Sequence, residues 1–174
     1  MISPAGPAAG RAAMLDSRPA RAKLLPIKSE GATMHSEILQ PMVALIAWTL
    51  VMLVWTIATR LPAMQAAGID ITRLIGSKAA DADRALPPSV QWKAHNYNHL
   101  TEQPTLFYAV ATVIAISGTG DGVNALIAWA YVALRVLHSL VQATVNRVWP
   151  RFMLFLASTL ALAALTLHAA MAVF

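Results

Sequence analysis

The chain contains no cysteine, which excludes a disulfide framework, thiolate metal sites and a cysteine nucleophile. It leaves the compartment open. Charge is the second scarcity. Only 12 % of the 174 residues are Asp, Glu, Lys or Arg, about half of the ~25 % usual in a soluble domain. So few charges cannot cover a water-facing surface, and most soluble enzyme folds are excluded. No internal repeat is visible. Residues Met1 to Thr33 have no apolar run, and so no h-region of a secretory signal peptide. What is abundant is apolar: 57 % of residues are hydrophobic and the mean hydropathy is +0.58. The chain reads as membrane-embedded.

No charged residue occurs from Ile38 to Thr59, a stretch longer than the ~20 residues that span a hydrocarbon core. Pro41 sits in its first turn, where a missing N–H costs little. Arg60 and Pro62 are expected to close it. Leu61 to Pro88 is a polar loop with Asp70, Arg73, Lys78, Asp81, Asp83 and Arg84. A short helix is expected there around Ile69–Leu74. A second long helix, Ser89 to Ile116, has a polar N-terminal half and a local kink at Pro104. The glycine-rich Ser117–Gly122 makes a tight turn. The third helix, Val123 to Asn146, carries Arg135 as its only charge. Trp149–Pro150 is expected to break the chain before a fourth helix. The predicted fold is an all-α membrane protein: a four-transmembrane-helix antiparallel bundle over residues 34–174, with spans at about 38–59, 89–116, 123–146 and 152–173. His168 is the one strongly polar residue of the fourth span.

The net charge of +5 by itself points to nucleic acid or anionic lipid. Its distribution says otherwise. From Met34 onward 8 basic residues face 6 acidic ones, so most of the excess lies in the first 33 residues. Beyond Met34 every basic residue except Arg135 lies on or near the first and third loops, which places those loops in the cytoplasm. The five Lys/Arg of residues 1–33 fall on the opposite side and break that rule. Residues 1–33 are therefore read as a disordered or mis-assigned extension, with Met34 as the expected start. No nucleic-acid partner is expected.

At ~100° per residue, Tyr131, Arg135, His138, Ser139, Gln142 and Asn146 share one face of the third helix. Gln91, His95, Asn98, His99 and Glu102 share one face of the second. Arg135 and Glu102 both lie ~20 Å from the second loop at ~1.5 Å per residue. An arginine near mid-membrane costs ~3 kcal/mol or more when unpaired. Glu102 is the only acid at that depth, so an Arg135–Glu102 pair is expected. Polar residues that glue helices together are the plainer reading of such stripes, but an ion pair needs two residues rather than ten. The stripes read as a wet cleft for a polar ligand.

The segments HNYNHLTEQPTLFYAV and YVALRVLHSLVQATVNRVWPRF resemble the MAPEG family, membrane-associated proteins in eicosanoid and glutathione metabolism, in its bacterial-type members. The likeness covers about Glu37 to Phe174. Its most specific parts are R-x-x-H-[ST] at Arg135, His138 and Ser139, as in the glutathione-transferase-like branch, and the A-H…N…E…P-x-x-F run ending at Phe107. The resemblance implies a four-helix protomer in a homotrimer, with glutathione as co-substrate in clefts between protomers and no metal. It maps the family's Asn and Glu onto Asn98 and Glu102, and its Arg and His onto Arg135 and His138. Gln142 stands where relatives carry an aromatic residue, and Lys93 near where some carry Arg. The implied glutathione-binding set is Lys93, His95, Asn98, Glu102, Tyr131, Arg135, His138 and Gln142. The implied thiolate-stabilising arginine is Arg151, with Arg147 as substitute. An arginine beside the sulfur favours the thiolate, which is the nucleophile. The partner implied is a lipophilic electrophile reaching the sulfur from the lipid bilayer, and the expected location is a bacterial inner membrane.

Three rival readings remain at this point. His95 and His99 are four residues apart on one helical face, and with Glu102 and His138 they form a candidate metal site. A non-catalytic binding or scaffold protein of the same fold is the second rival, favoured by Gln142. A channel or transporter is the third, and the lack of inverted-repeat symmetry speaks against it. The tryptophans read as interfacial belt or lipid-facing packing.

Overall fold

The computed structural model describes residues 36–76 and 78–174. The expectations about residues 1–33 lie outside the described residues. Among the described residues five helices follow in order: α1 (Leu39–Ala66), α2 (Ala79–Ala85), α3 (Pro88–Ile116), α4 (Val123–Ala143) and α5 (Val148–Val173). No strand occurs among the described residues. Three of these helices, α1, α4 and α5, are long and apolar enough to cross a membrane. The chain is therefore an integral membrane protein. α3 is equally long, but its N-terminal half is polar.

The usual burial rule is relaxed. Val43, Leu50, Val54, Leu126, Leu160 and Leu167 are exposed, while Asn96, Arg135 and Ser139 have no accessible surface. Lipid tails solvate leucine as well as a protein interior does, so apolar side chains gain nothing from facing inward, whereas polar groups do. Hydroxyls on the helices satisfy themselves locally. Thr49, Thr56 and Thr59 each donate to the carbonyl four residues back, at 2.8–2.9 Å.

The long helices alternate in direction. α1 begins beside the α3–α4 turn, where the Ile38 N–H donates to the Gly120 carbonyl at 3.0 Å and the Gly122 N–H donates to the Glu37 carboxylate at 3.1 Å. Gly122 has φ 62°, which only glycine adopts cheaply. A side chain at Gly120 would run into Ser36 and Ile38, so the close approach of the two segments requires glycine there. At the same end, His168 near the C-terminus of α5 bonds Asn124 at the start of α4. α4 packs most extensively on α5, and α1 on α3. The apolar core is Leu45 and Met52 of α1, Leu100, Phe107 and Ile114 of α3, Tyr131 and Val132 of α4, and Leu165 of α5.

Four boundaries differ from the sequence expectations. α1 does not close at Arg60–Pro62 but continues to Ala66. A proline removes one hydrogen bond of the ladder, and the turn after it persists, with Ala67 N–H donating to Ala63 O at 3.0 Å. The short helix is not at Ile69–Leu74 but at Ala79–Ala85. The Asp70 carboxylate accepts from the Thr72 hydroxyl at 2.7 Å and from the Thr72 N–H at 3.0 Å. This Asx-type turn competes with helix. The Thr72 hydroxyl, and then its N–H, hold the Asp70 carboxyl below its ordinary pKa. α4 ends at Ala143 rather than Asn146, because Asn146 takes a left-handed φ of 47°. Finally, Trp149–Pro150 does not break the chain: α5 starts at Val148. Pro150 then falls in the first turn, where N–H groups have no intrahelical partner.

Candidate functional site

The polar face of α4 is buried along its length: Tyr131, Arg135, His138, Ser139 and Gln142 all point inward. Its two edges meet different neighbours. On one edge the Ser139 hydroxyl accepts from Trp48 Nε1 of α1 at 3.0 Å and from Asn96 Nδ2 of α3 at 2.6 Å. Three helices are thereby fastened at one atom. Ser139, the last residue of the sequence motif, thus acts here as a fastening between helices.

The other edge carries Arg135 and His138. Arg135 is fully buried. Its Nε donates to the Tyr131 hydroxyl at 3.2 Å, and its Nη1 lies 3.4 Å from His99 Nδ1. Its guanidinium carbon stands 5.2 Å from the Phe155 ring and 5.5 Å from the Tyr131 ring. Phe107 in turn stacks on Tyr131 with centroids 4.4 Å apart. The guanidinium is thus clamped by aromatic rings, the Tyr131 hydroxyl and the His99 ring nitrogen. Two polar atoms on this edge have no partner, Arg135 Nη2 and His138 Nδ1. Buried polar groups are nearly always satisfied, so these two mark a place where something polar belongs.

Next to them an open cleft of ≈ 200 Å³ is lined by His99, His138, Val148, Arg151, Phe152 and Phe155. His99 and His138 stack at 4.9 Å with 20° between their planes. Arg151 enters from the first turn of α5. Its Nη1 donates to Asn146 Oδ1 at 2.5 Å, so the left-handed residue of the α4–α5 turn also aims the guanidinium. Three cationic or imidazole groups and two phenylalanines therefore share one small, one-sided opening.

The expected Arg135–Glu102 pair does not form within the chain. Glu102 is exposed, and no acid lies within ion-pair distance of Arg135 among the described residues. Equal depth and a shared stripe were legible, but not the direction in which the α3 stripe points. His95, Asn98 and Glu102 face out of the protomer, whereas Asn96, Leu100 and Phe107 face in.

The remaining candidates are placed as follows. Lys93 lies over the Trp55 ring of α1 at 5.4 Å and donates to the Ser89 carbonyl at 2.7 Å. His95 pairs with Asp83 of α2 at 2.9 Å. Asn98 lines a separate groove of ≈ 320 Å³ with Arg60 and Tyr97. Gln142 is buried with its Oε1 unpartnered and does not line the cleft. Arg147 is exposed at the cap of α5, outside the cleft. Of the sequence candidates, His138 and Arg151 line the cleft; Tyr131 and Arg135 lie behind it, joined to it through His99; and Lys93, His95, Asn98, Glu102 and Arg147 lie elsewhere in the protomer. Phe155 carried no signal in the sequence, and Asn146 was visible as a member of the α4 stripe. His99 was visible as a member of the α3 stripe and of the candidate metal set, not as a neighbour of Arg135.

The metal reading finds no such cluster. Among the described residues no three His, Asp or Glu side chains come together in a group that could hold an ion. The imidazoles of His99 and His138 are stacked face to face rather than converging on a point, and His95 is turned to Asp83.

No curated protein and no solved structure matches the chain. A family comparison does: the MAPEG family model matches residues 38–171, which takes in α1 to α4, all but the last two residues of α5, and every residue of the cleft. By that match the chain belongs to the MAPEG family, membrane proteins associated in general with glutathione.

Proposed function

We propose that this protein is a glutathione-dependent transferase or peroxidase-like enzyme acting on a lipophilic electrophile within the bilayer. The observation that carries the reading is Arg135, fully buried, with Nη2 unpartnered and no acid beside it. A buried cation without a counter-ion is strongly destabilising. An anionic ligand that completes the set relieves that cost, and glutathione brings two carboxylates and an ionisable thiol.

The cleft of ≈ 200 Å³ is smaller than the ~300–1,000 Å³ usual for ligand pockets. One protomer therefore holds part of the peptide, and the rest lies against a neighbour. The exposed polar face of α3, with His95, Asn98 and Glu102, is expensive to leave in lipid and is the natural neighbouring wall. This supports an oligomer, a homotrimer as the family resemblance implies, of four-span protomers in which α3, despite its polar half, is the fourth span. Glu102 then pairs the peptide ammonium, while Arg135 and Lys93 serve its carboxylates. Arg151 favours the thiolate. Phe152 and Phe155 give an apolar approach for the electrophile. The sulfur attacks it directly, and no covalent intermediate on the protein is needed. The cleft opens at the α4–α5 turn, the side whose basic loops favour the cytoplasm.

Titration of glutathione into detergent-purified protein, with Arg135→Ala as control, tests this. Saturable binding lost in the variant is expected; no heat at millimolar glutathione rejects the reading. A non-catalytic member of the same fold is the alternative, favoured by Gln142, which presents no hydroxyl to the cleft. Binding without turnover of any lipophilic electrophile would select it.

A further inference from the structure

The family resemblance maps no role onto His99, yet His99 is the group of the cleft whose hydrogen-bonding state the geometry fixes. Its Nδ1 lies 3.4 Å from Arg135 Nη1. A guanidinium has only donors, so Nδ1 must accept, and the proton of the neutral ring sits on Nε2. The ring cannot easily turn away. It is stacked on His138 at 4.9 Å and held by Phe155 at 5.5 Å. Nε2 takes no partner from the described residues, and it is not among the sealed, unpartnered atoms, whereas His138 Nδ1 is. The ring therefore presents one free N–H donor to the cleft it lines with Arg151. Its donor state is imposed from behind by a cation that cannot lose its charge.

We propose that His99 Nε2–H, together with the Arg151 guanidinium, holds the sulfur of the bound thiol peptide as its thiolate. This rests on the glutathione reading above. The step is an ionisation. The S–H bond breaks, its electron pair stays on sulfur, and the proton leaves to water through the open side of the cleft. The N–H donor and the guanidinium both favour the charged form. His99 neither takes up the thiol proton nor gives up its own, because Nδ1 is occupied by Arg135. It acts as a fixed donor, not as a base.

The test uses full-length protein in detergent and two ligands, glutathione and S-methylglutathione, which has no thiol. The ultraviolet band of the bound thiolate is followed against pH for the wild type, His99→Phe and His99→Gln. Phenylalanine keeps the stacking but loses both the Nε2 donor and the Nδ1 acceptor for Arg135; glutamine restores a donor and an acceptor. In the wild type the thiolate midpoint is expected well below the ~8.5 of a free thiol. In His99→Phe it should rise by about one pH unit, a tenfold change in the ionisation constant, while S-methylglutathione still binds. His99→Gln should restore most of the shift. A midpoint identical in wild type and His99→Phe overturns the proposal while leaving glutathione binding intact. Equal loss of both ligands in His99→Phe, not rescued by glutamine, reduces His99 to packing and also overturns it. Failure of the wild type to bind either ligand removes the glutathione reading, and this proposal with it.

Discussion

His138 and Ser139 are adjacent on α4 and almost equally buried, at 2 % and 0 % exposure, yet they serve opposite purposes. Ser139 accepts hydrogen bonds from two other helices, and of that cluster only Asn96 Oδ1 lacks a partner. His138 lies beside Arg135, and each has a polar atom without a partner, next to an open cleft. Both belong to what reads from the sequence as one polar stripe. Polar residues in a membrane helix thus cannot be sorted by burial or depth. What separates a fastening from a site is whether the hydrogen-bonding capacity is used up inside the protein.

Mutations can break that comparison. The largest effect is expected for Arg135→Ala: glutathione affinity falls about 100-fold or more, in line with truncating one member of a buried charged set, as calorimetry would show. Wild-type affinity in that variant would mean that the open edge of the stripe is not the site. Arg151→Ala should lower turnover about 100-fold, as for loss of a donor to a developing or resident anion, whereas Arg147→Ala should leave it within about twofold. Steady-state rates with a lipophilic electrophile separate the two arginines.

Ser139→Ala should do the reverse of Arg135→Ala. It strands the Trp48 and Asn96 donors, costing about 1–2 kcal/mol of stability, with glutathione affinity unchanged. Denaturant unfolding in micelles measures the first and calorimetry the second. Glu102→Gln sharpens the contrast further. Exposed in the protomer, it should change protomer unfolding by less than about 0.5 kcal/mol while weakening glutathione binding. A loss of several kcal/mol would instead mean that Glu102 pairs with a buried arginine after all. The smallest effect is expected for His95→Gln. Its pair with Asp83 is about half exposed on both sides, and such pairs contribute about 0–1 kcal/mol.

Much of the fold was legible. The uncharged Ile38–Thr59 run, the glycine turn at Ser117–Gly122 and the single charge of Val123–Ala143 mark helices through length and hydropathy alone, because the bilayer sets the length and each helix satisfies its own backbone. Helix ends were less legible. Pro62 and Pro150 are the same residue type in different roles, one inside α1 and one in the first turn of α5. A breaker signal does not say which turn it falls in. In the site, the α4 face was readable because Tyr131, Arg135, His138 and Gln142 recur at helical spacing. His99, Asn146 and Phe155 took their roles from packing, which spacing does not encode.

The sequence alone determined that this chain lives in a membrane, where its helices run and which residues of α3 and α4 share a face. These follow from composition and from the fixed pitch of a helix. Only the tertiary structure decided where those faces point. It turned the α4 stripe inward and the α3 triplet of His95, Asn98 and Glu102 outward, and it set Arg135 against rings and an imidazole instead of an acid. The reason is that a helix fixes relative angles within itself, but its rotation about its own axis is set by what packs against it. In a lipid solvent that choice is made by the few polar contacts between helices, such as Trp48 and Asn96 meeting at Ser139.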